Sequence, residues 1–289
     1  MLTGFRRVAA LACLALPLLA PRAEAFTSLH VFGDSLSDRG NLAILTAPLG
    51  VPVAPTYTGG QFSNGPTWVA GLTARIGLSP VFAAPSLAGG QTYAFGLARS
   101  DAATPPLGLP ALINLGGQVD AFLAGPAADP RALFAVWAGA NNLLQALAAA
   151  PFVPNPEAFL AAEVASAATG TLTQLNRLVA DGARNLLVLN LPDLGQTPRF
   201  AGNPLASATG RQVSAAHNAA LAAGLAALDA VPGVRVIGLD IFALFDALLD
   251  DPAAFGLADA TTPCVTGDVP AIYVNPLAAT VSCSAADAA

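Results

Sequence analysis

The chain has 289 residues, 54% of them hydrophobic and only 10% charged, with a formal net charge of −6. All 12 of its basic residues are arginines and they form no run or stripe, which excludes binding driven by a nucleic-acid phosphate backbone. Two histidines and three cysteines, without C-x-x-C or His-rich spacing, offer no metal-ligand pattern, and nothing in the sequence asks for a cofactor.

Residues 1–25 have the composition of an export signal. Arg6 and Arg7 give a charged start, Val8 to Ala20 an apolar middle, and Ala23-Glu24-Ala25 an A-x-A cleavage site before Phe26. The apolar stretch is short for a bilayer span, and no later run reaches that length. The expectation is a secreted or periplasmic protein with no membrane helix after cleavage, residues 26–289 forming one domain. Cys13 leaves with the signal. Cys264 and Cys283 remain as the only pair in an oxidising compartment, which predicts a disulfide. Closing a ring of that size stabilises by roughly 3 kcal/mol in the chain-entropy model.

The apolar run Leu29 to Phe32 reads as a buried strand. Gly33-Asp34 breaks it and Ser35 follows at once, on a turn between strand and helix. Residues 46–66 are rich in Pro, Gly and Thr and read as an irregular loop. Thr67 to Ile76 carries Trp68, Leu72 and Ile76 at helical spacing, with Gly77 as a stop. Residues 91–99 read as a short strand running into a turn, and Leu112 to Ala124 as a helix ended by Gly125-Pro126. Ala132 to Trp137 is a buried strand, Gly139 to Asn142 a loop, and Leu143 to Ala150 the next helix.

Asn155-Pro156 starts a long helix whose face runs through Leu160, Val164, Ala168, Leu172, Leu175 and Val179, and Gly182 ends it. Asn185 to Leu191 is a strand, residues 207–229 a helix, Val234 to Leu239 a strand and Ile241 to Leu249 a helix. Strands alternating with helices predict an α/β domain with a parallel sheet covered on both faces. Ser35, Gly96 and Asn141 each come just after a predicted strand, at the carboxyl edge where such sheets hold their sites.

Phe32-Gly33-Asp34-Ser35-Leu36-Ser37-Asp38 with Gly40-Asn41 resembles the first block of the GDSL, or Ser-Gly-Asn-His, hydrolase family, in its secreted bacterial esterase and lipase branch. Tyr93-Ala94-Phe95-Gly96-Leu97-Ala98 and Trp137-Ala138-Gly139-Ala140-Asn141-Asn142 are similar to the second and third blocks. The resemblance implies a single-domain, three-layer α/β/α sandwich with a flavodoxin-like sheet. It also implies a carboxylic-ester hydrolase working through a serine acyl-enzyme. Ser35 would be the nucleophile and donate its own N–H to the oxyanion, joined by the Gly96 N–H and the Asn141 amide. Two positions depart from the family pattern: Thr92 stands where Asn is frequent, and Leu97 where a second Gly is frequent. Asn190-Leu191-Pro192-Asp193-Leu194-Gly195 resembles a family segment too, with Asp193 as a turn residue.

The family's last block, Asp-x-x-His, is absent: the only histidines are His30 and His217, and Thr27 and Ser214 stand three residues before them. His30 lies five residues upstream of Ser35 along a strand, roughly 17 Å away at 3.3 Å per residue. His217 falls on the apolar stripe with Val213, Leu221 and Leu225 and reads as a core residue. Three functional expectations follow. One is an esterase of small-molecule or lipid esters whose turnover is poor without the missing pair. Another is a catalytically silent lipid- or glycan-ester-binding protein with the same fold. The third is an inactive fragment of a longer secreted or surface-anchored enzyme, truncated before its Asp-x-x-His. The alcohol, the acyl length and the oligomeric state leave no mark in the sequence.

Overall fold

The computed structural model describes residues 25–49, 51–52, 57–105, 108–263, 265–267 and 279–281. Four parallel strands form one sheet in the order β1 (Leu29–Gly33), β2 (Leu133–Trp137), β3 (Asn185–Leu189) and β4 (Arg235–Leu239). Leu29 pairs with Leu133 and Gly33 with Trp137, so β1 and β2 end together at the carboxyl edge. Eight α-helices accompany these strands among the described residues: α1 (Asn41–Leu45), α2 (Trp68–Arg75), α3 (Leu115–Leu123), α4 (Ala140–Ala149), α5 (Pro156–Asp181), α6 (Pro198–Ala201), α7 (Pro204–Asp229) and α8 (Ile241–Asp250).

Side-chain alternation sorts the strand residues into two layers. Phe32, Phe134, Val136, Leu186 and Val188 face α3, α5 and α7 in the largest buried cluster. Leu29, Val31, Leu133 and Ala135 point to the opposite face, where Val69 of α2 and Ala83 cover them. Both faces of the inner strands are therefore dry, which explains their near-continuous apolar runs. This is the α/β sandwich expected from the sequence. The long helices also follow their periodic faces: α5 buries Val164, Ala168 and Leu175, and α7 buries Val213, His217, Leu221 and Leu228. At the outer edge, α8 has no buried residue among those described.

Three local expectations change. Residues 91–95 run parallel to β1, with Val31 N–H donating to Gln91 O and Tyr93 N–H to Val31 O. They form only isolated bridges, Val31 to Thr92 and Pro85 to Thr92. On their other side Ser86 N–H donates to Thr92 O and Thr92 N–H to Ala84 O, and the Asn41 amide donates to Thr92 O at 2.7 Å and Ala94 O at 3.0 Å. Helix α3 begins at Leu115, because a short 3₁₀ turn over Ala111–Ile113 precedes it. The Gly139–Asn142 segment is not a loop: Gly139, at φ 114°, turns the chain straight into α4. One further element is a small antiparallel pair, β5 (Val265–Gly267) with β6 (Ala279–Val281).

Candidate active site

Ser35 owes its place to Gly33. This residue has φ 147°, and a Cβ built on it would lie 2.1 Å from Trp137 O. Only glycine lets the ends of β1 and β2 come so close. Gln118 of α3 closes the strand end. Its carboxamide oxygen accepts the Gly33 N–H at 2.8 Å and its NH₂ donates to Gly33 O at 2.8 Å, two bonds that replace a neighbouring strand.

Beyond Gly33 the chain turns tightly. Ser37 and Asp38 N–H groups both donate to Asp34 O, and Leu36 N–H donates to the Asp34 carboxylate at 3.1 Å. Asp34 is 2% exposed, and burial pushes its carboxyl up to about 7. Ser35 itself is half-buried, and its N–H enters no hydrogen bond among the described residues. That amide is free to meet an incoming oxyanion.

Asp38 joins this turn to the segment after residue 91. Fully buried, its carboxylate accepts N–H groups from Gly40 at 2.8 Å, Asn41 at 2.7 Å, Leu42 at 3.2 Å and Gly96 at 2.7 Å. Burial raises its pKa to about 6, against the pull of those four donors. The first three bonds serve the amino end of α1, and the fourth crosses 58 residues of sequence to fix Gly96. Gly96 has no room for a side chain: a Cβ there would lie 2.2 Å from the Phe62 ring.

Asn141 sits in the first turn of α4. Its amide donates to Ala98 O at 2.9 Å, which ties it to the same 95–98 turn that Asp38 holds. One N–H of that NH₂ group is committed there and the other is not. Its neighbour Asn142 is fully buried and accepts Ser100 N–H at 3.0 Å. Arg99, paired with Asp101 at 2.7 Å and Glu163 at 2.8 Å, anchors the continuation of this segment. The turn that carries Ser35, the 95–98 turn and Asn141 are thus linked in a web by hydrogen bonds through Asp38 and Ala98 near the carboxyl ends of β1 and β2. The chain crosses from one side of the sheet to the other between those strands, the usual place for a site in an open α/β sheet.

Neither histidine joins that web through a hydrogen bond. His30 stacks on Phe134 with centroids 5.0 Å apart, and burial pushes it down to about 4. His217 is fully buried behind Gly139, where a Cβ would come within 2.7 Å of its Nε2. Burial lowers its pKa, and Nε2 has no partner. Asp193 caps a 3₁₀ turn by accepting Gly195 N–H at 2.9 Å and pairs with Arg211, as a turn residue does. No group of three or more potential metal ligands exists among the described residues. Sequence reading missed Asp38 and Gln118. Asp38 does carry a local signal, an Asx three residues ahead of the helical Asn41, whereas nothing near Gln118 announces its partner.

Comparison with known proteins places the chain in a family. The sequence profile of GDSL-like Lipase/Acylhydrolase matches residues 29–268. Over 243 residues the chain is 32% identical to the phosphatidylcholine-sterol acyltransferase of Aeromonas hydrophila, covering 84% of this chain and 67% of that one. It is 34% identical over 279 residues to Esterase EstA of Pseudomonas aeruginosa, covering 86% of this chain and 41% of the esterase. It is 28% identical over 256 residues to the acetylesterase of Thermothelomyces thermophilus, covering 83% and 78%. The chain thus spans about two thirds of the acyltransferase and about two fifths of the esterase. A profile matched over most of the chain makes it a member of the GDSL-like lipase/acylhydrolase family of serine esterases and lipases.

Proposed function

We propose that Ser35 is the nucleophile of a carboxylic-ester hydrolase. Its Oγ adds to the ester carbonyl carbon and gives up its proton. The tetrahedral oxyanion then collapses, releasing the alcohol and leaving an acyl-serine that water hydrolyses. Ser35 N–H, the Gly96 turn and the Asn141 amide surround the oxyanion in this reading. The observation that carries it is the web itself: an unengaged Ser35 N–H and a tethered Asn141 amide, linked through Asp38 and the 95–98 turn. The substrates are small-molecule or lipid esters, in keeping with relatives that are a phosphatidylcholine-sterol acyltransferase, an esterase and an acetylesterase.

Two buried histidines outside that web leave the proton of Ser35 without a histidine acceptor among the described residues. These residues by themselves should therefore turn over slowly, since losing the base of a triad costs several powers of ten. The experiment is hydrolysis of p-nitrophenyl butyrate with and without added imidazole, every rate being taken above that of the ester and imidazole alone, because imidazole itself cleaves nitrophenyl esters. A slow basal rate that rises with imidazole and disappears in Ser35→Ala supports the proposal. An imidazole-stimulated rate that persists in Ser35→Ala rejects it. The same buried histidines favour, as a second reading, a silent ester-binding protein, for which Ser35→Ala leaves ligand affinity unchanged and imidazole does nothing.

We also propose export to the periplasm or beyond, with cleavage before Phe26, on the composition of residues 1–25. Amino-terminal sequencing of the mature chain tests it. The proposed Cys264–Cys283 bridge lies outside the described residues. Its support is the pairing of Val265 with Val281, which are close sequence neighbours of the two cysteines.

A further inference from the structure

We propose that the cavity between α3 and α5 is a binding site for a neutral sugar, separate from the groups that surround the oxyanion. The proposal does not depend on Ser35 being the nucleophile.

The cavity has a volume of about 620 Å³, within the range that holds a small ligand. One wall is the first turn of α3 with the chain that leads into it, a second is the 166–174 stretch of α5, and a third is Ser100 with Asp101. Its lining includes none of Ser35, Gly96 and Asn141. Glycine makes the room. A Cβ at Gly116 would stand 3.7 Å from Gln174 Nε2, so the two residues face each other across the gap between the helices. A Cβ at Gly170 would meet Ser100 O at 2.5 Å, and its absence lets the 100–101 segment lie directly on α5.

The chemistry of the walls rules out charged and fatty ligands. Their two carboxylates are Asp101 and Asp120. Asp101 pairs with Arg99 at 2.7 Å and Asp120 with Arg177, so each acid is neutralised by a guanidinium that is not itself part of the lining. No basic side chain lines the cavity. A cation therefore finds no unpaired acid there, and an anion finds no cation. The one large apolar side chain in the lining is Leu112, too little surface to hold an acyl chain.

Neutral donors and acceptors remain. The N–H groups of Gly116 and Gly117 enter no hydrogen bond among the described residues. The Gln174 carboxamide oxygen accepts from Arg177 at 2.8 Å, which leaves its NH₂ group for a ligand. The hydroxyls of Ser166 and Thr173 give their protons to Asp101 and to Thr169 O, which leaves their oxygens as acceptors. Donors on α3 and acceptors on α5 thus meet in one small space. Neighbouring hydroxyl groups, each able to donate and to accept, match such a lining. A sugar ring carries several of them, and Leu112, 38% exposed, offers an apolar wall for its C–H face.

The test is saturation-transfer difference NMR on the full chain with D-glucose, D-galactose, D-mannose, D-xylose and N-acetyl-D-glucosamine in turn. At least one should give saturable transfer with a millimolar Kd, as a few neutral hydrogen bonds allow. Gly116→Leu fills the gap and should abolish it. Gln174→Ala removes one neutral donor from a helix surface and should weaken binding about tenfold; it keeps the test valid where Gly116→Leu does not fold. Ser35→Ala should bind the sugar as the unaltered chain does, so a failure of the nucleophile assignment leaves this site standing. No saturable transfer from any of the five sugars overturns the proposal. Binding that survives both cavity variants overturns it by placing the sugar elsewhere, and equal loss in Ser35→Ala overturns it by placing the sugar in the ester site. Inorganic phosphate is the remaining probe: if it binds, no sugar displaces it, and Gly116→Leu abolishes its binding, the cavity is an anion site and the proposal falls.

Discussion

Asp38 and Gly96, 58 residues apart in sequence, are joined by a 2.7 Å hydrogen bond from the Gly96 N–H to a fully buried carboxylate. This bond locks the turn that carries Ser35 to the turn that faces it. Three more N–H groups, of Gly40, Asn41 and Leu42, end on the same carboxylate. Asp38→Ala strands all four donors away from water. A loss of about 3–5 kcal/mol is expected, since each unsatisfied buried donor costs about 1–3 kcal/mol and relaxation recovers part. Urea unfolding measures it, and a change below about 1 kcal/mol would reject the clamp.

Gly33→Ala tests the close approach of β1 and β2. The added methyl would meet Trp137 O at 2.1 Å on a backbone of φ 147°. The expected loss is about 3 kcal/mol, from overpacking against backbone that cannot move aside without parting the strands. Gly65→Ala is the control: a Cβ there meets nothing within 4 Å, so it should change stability by no more than about 0.5 kcal/mol.

Asp34 predicts a pH dependence of known sign. Burial raises its pKa from 3.8 to about 7. The folded chain therefore holds this proton more tightly than the unfolded one. Its contribution is fully present below about pH 4 and is lost as pH rises through about 7. Asp34→Asn should remove this term alone. Relative to that variant, the unaltered chain should lose stability between pH 4 and 8, by up to about 4 kcal/mol. Chemical unfolding across the range checks it, and a constant difference between the two chains would contradict it.

The proposed disulfide has a direct check. Alkylation of the mature chain without reduction should add nothing to its intact mass. Two added alkyl groups would reject the bridge.

Much of this was legible in the sequence because it is local. The four strands of the main sheet are short apolar runs, and α5 follows its 3.6-residue stripe from the Asn155 cap to Gly182; α7, expected from residue 207, begins three residues earlier, behind an Asn203 cap. Ser35 stood out because strand, glycine and acidic turn adjoin it. What the sequence hid is what distant residues do for one another. The extended segment at Thr92 reads as a strand, yet it bridges its neighbours at single residues only, Val31 on one side and Pro85 on the other. Asn141 and Asn142, polar and preceded by Gly139, read as a loop. They form the first turn of α4, where Ala98 O and Ser100 supply partners from afar. Gly96 was legible as a turn glycine. That its N–H is engaged by Asp38 could not be, since no periodicity connects positions 38 and 96.

The central claim is that Ser35 is the nucleophile of this site. The most direct measurement is peptide mass mapping of the full chain after prolonged reaction with a fluorophosphonate, imidazole being added as the base, beside Ser35→Ala treated in the same way. The account predicts one phosphonyl adduct, on the peptide that contains Ser35, and none in the variant. An unmodified Ser35, or equal labelling of both chains, would contradict it.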